Sequence, residues 1–551
     1  MLNKRSKKYI ILLILILGFF LRIWRVSEIP PSFSWDEVST GFDANSILQT
    51  GRDQFGNFLP LSFRSLDDYK PPVYTYLASA SIKLFGWNDL AVRFPAVILG
   101  TLSILGTYLL VTELFKNEKL ALLSALILTI SPWQMHFSRL ALESNSVIFF
   151  TAFGTWLFFK GLPRSMYLPL SILTFGLGLY TYHSARVVIP VLVITLIILN
   201  YKKIKIRTVG VWLSGLLGLF LIWQMLYTAT SISGQMRFRG ASIFTEALSL
   251  ETASEKETYS NWQKVDAQMQ DRLGKYWHSD KVLYASIFIR NYFKHLDPNF
   301  WLFSDNDTLR HHIQGMGIIY LIELPLLVFG IYFLLSKVER KIGLFVLIWF
   351  FVSIIPAALT RDVPHAMRIA VMMPMPQIFI ALGLYHVSKK LEQKDLLLFG
   401  TVIIAGLYLV NNAFFLHQYF QHYAIDSSED WRFGRKEAAL FAESVKNEYE
   451  KILVSTNLEY PHVFFLYYLR YDPVKYLAEG GTVSGGWGEV KNKFGKYEFL
   501  PFNFGDLNQN NYLFIGKPDE FPSNVVPLQK IYYLNGKEAI WLVEGNYAAT
   551  N

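Results

Sequence analysis

Long runs of apolar residues are the feature that any fold of this chain must satisfy. Several are 16 to 24 residues long, enough to cross a hydrocarbon core of roughly 30 Å. Backbone polar groups inside such a core must be satisfied within the segment, so the runs are expected to be helices. Spans are expected at approximately 9–26, 90–112, 120–137, 145–161, 167–182, 187–200, 209–228, 315–335, 342–359, 368–387 and 396–414. With 52% hydrophobic and 17% charged residues among 551, the chain is too apolar for an ordinary soluble protein. It reads as a polytopic α-helical membrane protein of about 11 transmembrane helices. The net charge of +9 sits in short loops between spans and does not point to nucleic acid. With no cysteine, thiol catalysis, disulfides and cysteine metal sites are excluded.

Charge also sets the topology. Lys4, Arg5, Lys7 and Lys8 precede the first run, which ends in Arg22, Trp24 and Arg25 without a small-x-small cleavage site. That reads as an uncleaved helix with a cytoplasmic N-terminus. The stretch 71–85 is apolar but only about 15 residues long. If it spanned, five basic clusters, Lys202/Lys203/Lys205/Arg207 among them, would move to the outside. It is therefore expected to lie along the outer surface as a juxtamembrane helix.

The outer face then carries the first loop, 27–89, the turns near Arg139–Glu143 and His183–Arg186, a long loop, 229–314, and the turn Thr360–Arg368. Two domains are expected: a membrane module, 1–426, and an extracytoplasmic α/β domain, 427–551. In the latter, 433–449 and 461–469 have helical character, and 451–456, 511–515 and 539–543 read as strands. Gly480-Gly481 and Gly485-Gly486 read as loop punctuation, not a phosphate cradle. A helix is expected over 254–273, and His311-His312 lack the spaced partners of a metal site.

Several polar residues converge on that face. Ser34-Trp35-Asp36-Glu37 puts two adjacent carboxylates just past the first span. Intramembrane or membrane-edge carboxylates are costly without a partner or a functional role. A sugar transfer from a lipid phosphate needs a base for the acceptor hydroxyl and cations for the leaving phosphate. Lys70 precedes Pro71-Pro72 on the same loop, and Tyr69 stands beside it. Arg139 and Glu143 end the third span, where their four-residue spacing puts both on one helix face about one turn apart. Tyr182, His183 and Arg186 cap two spans, and Arg361, His365 and Arg368 line the last turn. Each residue has a plainer use. Asp36 and Glu37 would also cap a helix at 38–49, Lys70 would snorkel, Arg139 and Glu143 would pair, and Arg186 and Arg368 would anchor headgroups. Glu323, inside a span, faces a cavity or a neighbouring helix.

At these residues the chain resembles the GT-C class of lipid-carrier-dependent glycosyltransferases. The branch in question holds the protein O-mannosyltransferases and the bacterial aminoarabinose transferases that modify lipid A. The shared marks are Trp35-Asp36-Glu37, Tyr69-Lys70-Pro71-Pro72-Val73-Tyr74, Leu84-Phe85-Gly86 with Arg93-Phe94-Pro95, Ser138-to-Glu143 and Arg368-to-Pro376. The resemblance covers roughly the first 165 residues well and the later spans loosely. It implies an inverting enzyme that uses a polyprenyl-phosphate sugar at the outer face of the cell membrane, with no nucleotide donor. The acceptor hydroxyl would belong to a protein, lipid or glycan. Asp36 would be the base, with Glu37 and Glu143 as catalytic neighbours. Lys70, Arg139 and Arg368 would hold the donor phosphate, and Trp35, Tyr69, Tyr182, His183 and Arg186 would contact substrate. No cofactor is required, and a divalent ion on Asp36 and Glu143 stays open. Ser39 stands where the aminoarabinose transferases have arginine. A transporter or lipid flippase is the competing class, but it would place its polar groups near the midplane, often within inverted repeats.

Overall fold

The computed structural model describes residues 4–65, 68–231, 242–244, 250–303, 308–392, 397–483, 492–502 and 511–545. Gly485-Gly486 and parts of the loop 229–314 lie outside these residues. The residues cluster into two compact units that interleave along the chain.

The first unit holds residues 1–22, 99–138 and 144–415 and is almost wholly helical. Across the described residues five helices are long and apolar enough to cross a membrane: Asp89–Phe115, Ala185–Lys203, Val209–Thr228, Arg340–Ala358 and Phe399–Asp426. Other expected spans are shorter apolar helices, such as Ser146–Gly161, Tyr167–Leu179 and Glu323–Lys337. Two glycines set a close helix contact in this unit. A Cβ on Gly330 would run into the Phe379 carbonyl, and one on Gly383 into the Leu326 carbonyl. Helices Glu323–Lys337 and Met375–Glu392 therefore pack backbone to backbone, as small residues permit in apolar surroundings. Glu323 is buried and accepts from Tyr320 N at 3.0 Å and the Tyr408 hydroxyl at 3.3 Å. It packs against its neighbours through polar contacts. In the long loop, helix Leu250–Met269 begins earlier than the sequence pattern indicates. A further helix, Asp280–Lys294, buries Leu283 and Ile287.

The second unit holds residues 23–98, 139–143 and 416–551. Its C-terminal part is a six-stranded mixed sheet in the order Lys493–Phe494, Tyr497–Phe499, Lys451–Val454, Tyr512–Gly516, Glu538–Gly545, Gln529–Tyr532. Lys451–Val454 pairs in parallel with both neighbours, and the remaining ladders are antiparallel. Helices Arg435–Val445 and Pro461–Tyr468 pack on the sheet through Ala438, Ala439, Ala442, Phe465 and Leu466.

The first loop folds into this same unit. Helix Trp35–Thr50 is buried on nearly every side from Glu37 to Ile47, which explains its mix of polar and apolar residues without one clean stripe. Phe42 enters the core of the sheet region, while Val38 and Ala44 pack with Tyr74, Val92, Val463 and Phe464. Helix Val73–Phe85 follows a two-stranded hairpin, Phe63–Ser65 with Asp68–Lys70. Gln54 closes the arrangement. Its backbone and side chain bond Asp43 at 2.9 and 3.1 Å, its carbonyl accepts from Thr482 N at 2.9 Å, and its Oε1 accepts from the Thr482 hydroxyl at 3.0 Å. A Cβ on Gly481 would stand 2.8 Å from the Gln54 carbonyl, and Gly481 has φ +66°, so the turn needs glycine twice over.

Candidate active site

Ser34 starts the site. Its side chain accepts from the Glu37 amide and its own amide donates to Glu37 Oε2 at 3.0 Å, forming a capping box for helix Trp35–Thr50. The cap fixes the first turn, and with it the directions of Asp36 and Glu37.

Glu37 is fully buried. Arg93, also buried, donates to it through Nε at 2.9 Å and Nη2 at 3.2 Å. The Ala141 amide donates to Glu37 Oε1 at 2.8 Å. The Arg93 guanidinium spends its other hydrogens on the carbonyls of Val26 at 2.8 Å, Pro30 at 3.1 Å and Ser32 at 2.8 Å, and lies over the Phe33 ring. One ion pair thus joins the segment 26–34, the start of helix Asp89–Phe115 and the turn 139–143. Pairing and full hydrogen bonding are what make such a buried charge tolerable. In the sequence Arg93 stands out only as part of a motif. Its partner lies 56 positions away, so no local pattern could have assigned it a role.

Asp36 faces the other way, with its side chain 33% exposed. Lys70 Nζ stands 2.8 Å from Asp36 Oδ1 and donates to the Asp36 carbonyl at 3.0 Å. Lys70 is itself buried, held at the end of the hairpin directly before Pro71. Glu143 senses both residues. Its carboxyl is pushed up to about 7, chiefly by desolvation, with Lys70 opposing and Asp36 adding to the rise.

Arg139 and Glu143 do not share a helix. Helix Pro132–Phe137 ends at Ser138, and a short 3₁₀ turn begins at Glu143. The Ala141 amide, which a helix would direct back to residue 137, is committed to Glu37 instead. Arg139 is buried, bonds the Ile29 carbonyl at 3.1 Å and lies over the rings of Tyr419 and Phe420. Trp35 lies against Tyr460 and under the Arg432 guanidinium, and Tyr69 pairs across the hairpin with Arg64. Asp36, Glu37, Lys70, Glu143, Arg139, Trp35 and Tyr69 thus all belong to the second unit. Tyr460 and Arg432 come from the C-terminal region, a contribution that no motif announced.

The remaining expected residues belong to the first unit. The Ser184 hydroxyl donates to the Arg368 carbonyl at 2.8 Å, bringing the turn of Tyr182 and His183 to the turn of Arg368. Arg368 bonds the Thr360 hydroxyl at 2.7 Å and the Arg361 carbonyl, and Arg186 reaches the Leu179 carbonyl at 3.5 Å. The His311 and His365 rings lie 4.3 Å apart, tilted by 40°.

Solved structures share this fold. ArnT from Cupriavidus metallidurans, solved with undecaprenyl phosphate, aligns over 98% of both chains with a TM-score of 0.51 and 12% identity. The chain has the fold of the GT-C glycosyltransferases. A second similar structure is the oligosaccharyltransferase of Archaeoglobus fulgidus tethered to an acceptor peptide. It aligns with a TM-score of 0.53 and 15% identity, over 84% of this chain and 63% of that one. The family described as dolichyl-phosphate-mannose-protein mannosyltransferase matches residues 69–227. YkcB of Bacillus subtilis is 24% identical over 214 residues, 38% of this chain, and the chain spans only 29% of that relative's length.

Proposed function

We propose that this GT-C protein is an inverting glycosyltransferase of the cell membrane. It moves a sugar from a polyprenyl-phosphate-linked donor to an acceptor hydroxyl on the outer face. The observation that carries this reading is the pairing of a partly exposed Asp36 with a buried Lys70. It joins the base and the phosphate cation such a transfer needs. The undecaprenyl phosphate bound by ArnT and the acceptor peptide held by the archaeal enzyme support a lipid-linked donor and a separate acceptor. The matched mannosyltransferase family favours a hexose, mannose first.

In this mechanism the acceptor oxygen attacks the anomeric carbon as the carbon–oxygen bond to phosphate breaks. Asp36 takes the hydroxyl proton, and the bonding pair leaves with the lipid phosphate. A single displacement inverts the centre. Lys70 is close enough to Asp36 to meet the negative charge that builds on the phosphate, the form of stabilisation that acts most strongly in the transition state. Glu37 never needs to touch substrate. It positions Asp36 through Arg93 and Ala141. Glu143 stands on the acceptor side. Arg139 holds the segment at Ile29, and Trp35 and Tyr69 frame the sugar. The basic loops between spans support a cytoplasmic N-terminus and a centre on the outer face.

The test follows release of polyprenyl phosphate by the purified protein from polyprenyl-phosphate mannose and related hexose and pentose donors. Turnover by the wild type and its loss in Asp36→Asn are expected. Turnover that survives unchanged in Asp36→Asn would sink the base assignment.

A further inference from the structure

The second unit contains a cavity that the transfer centre does not use. Its volume is about 550 Å³, within the roughly 300–1,000 Å³ of small-ligand sites. Neither Asp36 nor Lys70 lines it. Its walls come from the loop and first turn of helix Asp89–Phe115, and from helices Arg435–Val445 and Pro461–Tyr468.

The wall chemistry is specific. Trp87 and Tyr468 offer aromatic surface, and Asn88, Asp89, Lys436 and Arg470 offer polar groups. Asp89 is already placed: it accepts from the Tyr467 hydroxyl at 3.1 Å, and Lys436 Nζ stands 3.7 Å from its second oxygen. Lys436 also lies over the Tyr468 ring. Trp87 sits edge-on to Tyr467 at 5.7 Å. Its indole N–H finds no acceptor among the described residues.

We propose that this cavity is a saccharide-binding subsite, separate from the Asp36 centre. A pyranose ring has an apolar C–H face, which stacks on aromatic rings, and an edge of hydroxyls, which pair with carboxylates and amides. Aromatic walls with an adjacent Asp–Asn pair supply both. An acyl chain would leave Asp89 and Lys436 desolvated without exchange, a costly outcome. Two cations against one carboxylate also leave room for an acidic sugar. Through this site the C-terminal region would hold a glycan on the same compact unit as the transfer centre. It does not depend on Asp36 being the base.

Binding is read by saturation-transfer NMR on the full chain in a detergent without a sugar headgroup. The probes are mannotetraose, chitotetraose and tetragalacturonate. Millimolar binding of at least one is expected. Asp89→Asn with Lys436→Gln should weaken it by about tenfold or more, while Asp36→Asn should leave it unchanged. If thermal unfolding shows that Asp89→Asn harms the fold, the exposed Lys436→Glu alone serves instead. No transfer from any of the three probes overturns the proposal. So does binding that ignores the Asp89 and Lys436 variants, or binding that only Asp36→Asn abolishes.

Discussion

Lys70 holds Asp36 at two points, its carboxylate at 2.8 Å and its carbonyl at 3.0 Å. A lysine tied to both ends of one residue moves with it, so the base and the phosphate cation keep a fixed spacing. Asp36→Asn should lower turnover by ~10²–10⁴-fold, and Lys70→Met by ~10²–10³-fold. Asp36→Asn should change stability little, because its side chain is a third exposed and pairs at that exposure contribute about 0–1 kcal/mol; Lys70→Met removes a buried charge and leaves an apolar side chain in its space. Turnover and thermal unfolding, measured on the same preparations, check the split. A large stability loss in either variant would show that the pair is structural.

Arg93 and Glu37 should behave oppositely. Arg93→Met strands a buried carboxylate and should cost about 3–5 kcal/mol. Adding Glu37→Leu should recover part of that loss, since the unpaired charge goes with it. Unfolding of the two single variants and the double variant in detergent gives the coupling. Simple additivity would contradict the assigned pair.

The cap is a milder lesion. Ser34→Ala should cost about 1 kcal/mol and lower turnover, because the first turn carries Asp36. Thermal unfolding and a turnover assay distinguish this from a cap with no link to the site.

Asp43 gives a pH signature. Its carboxyl is pushed up to about 8, first by burial and then by Asp53. The folded state therefore binds a proton that the unfolded chain has released above the ordinary carboxylate range. Stability is fully present below that range and falls as pH rises toward about 8. Asp43→Asn should flatten this slope in unfolding measured from acid to mildly alkaline pH.

Glu143 gives a second signature, in activity. With its carboxyl near 7, it changes charge across neutral pH beside Asp36 and Lys70. Glu143→Gln should remove an inflection near that pH from the turnover profile. An inflection that persists belongs to another group.

Much of the local structure was legible in the sequence. Helix Val73–Phe85 forms where its apolar length places it, whereas helix Trp35–Thr50 starts three residues before the expected 38–49, with Ser34 and not Asp36 or Glu37 as its cap. Lys451–Val454 and Pro461–Tyr468 follow their own periodicity. The segment that departs from its pattern is 139–143, where Arg-x-x-x-Glu mimics helical spacing. A tertiary hydrogen bond from Ala141 to Glu37 outweighs that local preference. The union of the first loop with the C-terminal region was equally hidden. It rests on pairs such as Gln54 with Thr482, which are 428 positions apart and leave no periodic trace.

Glu37 and Arg93 meet the surrounding segments almost entirely through main-chain atoms: the carbonyls of Val26, Pro30 and Ser32, and the amides of Ser34 and Ala141. Main-chain groups are the same whatever side chain they carry. Substitutions at Val26, Ser32 or Ala141 that preserve backbone path and volume should therefore leave the anchor intact, while Glu37 and Arg93 admit no chemical substitute. The centre is thus robust to drift around it and brittle at two positions. A library screened for turnover should show tolerance and intolerance side by side within one short stretch of chain.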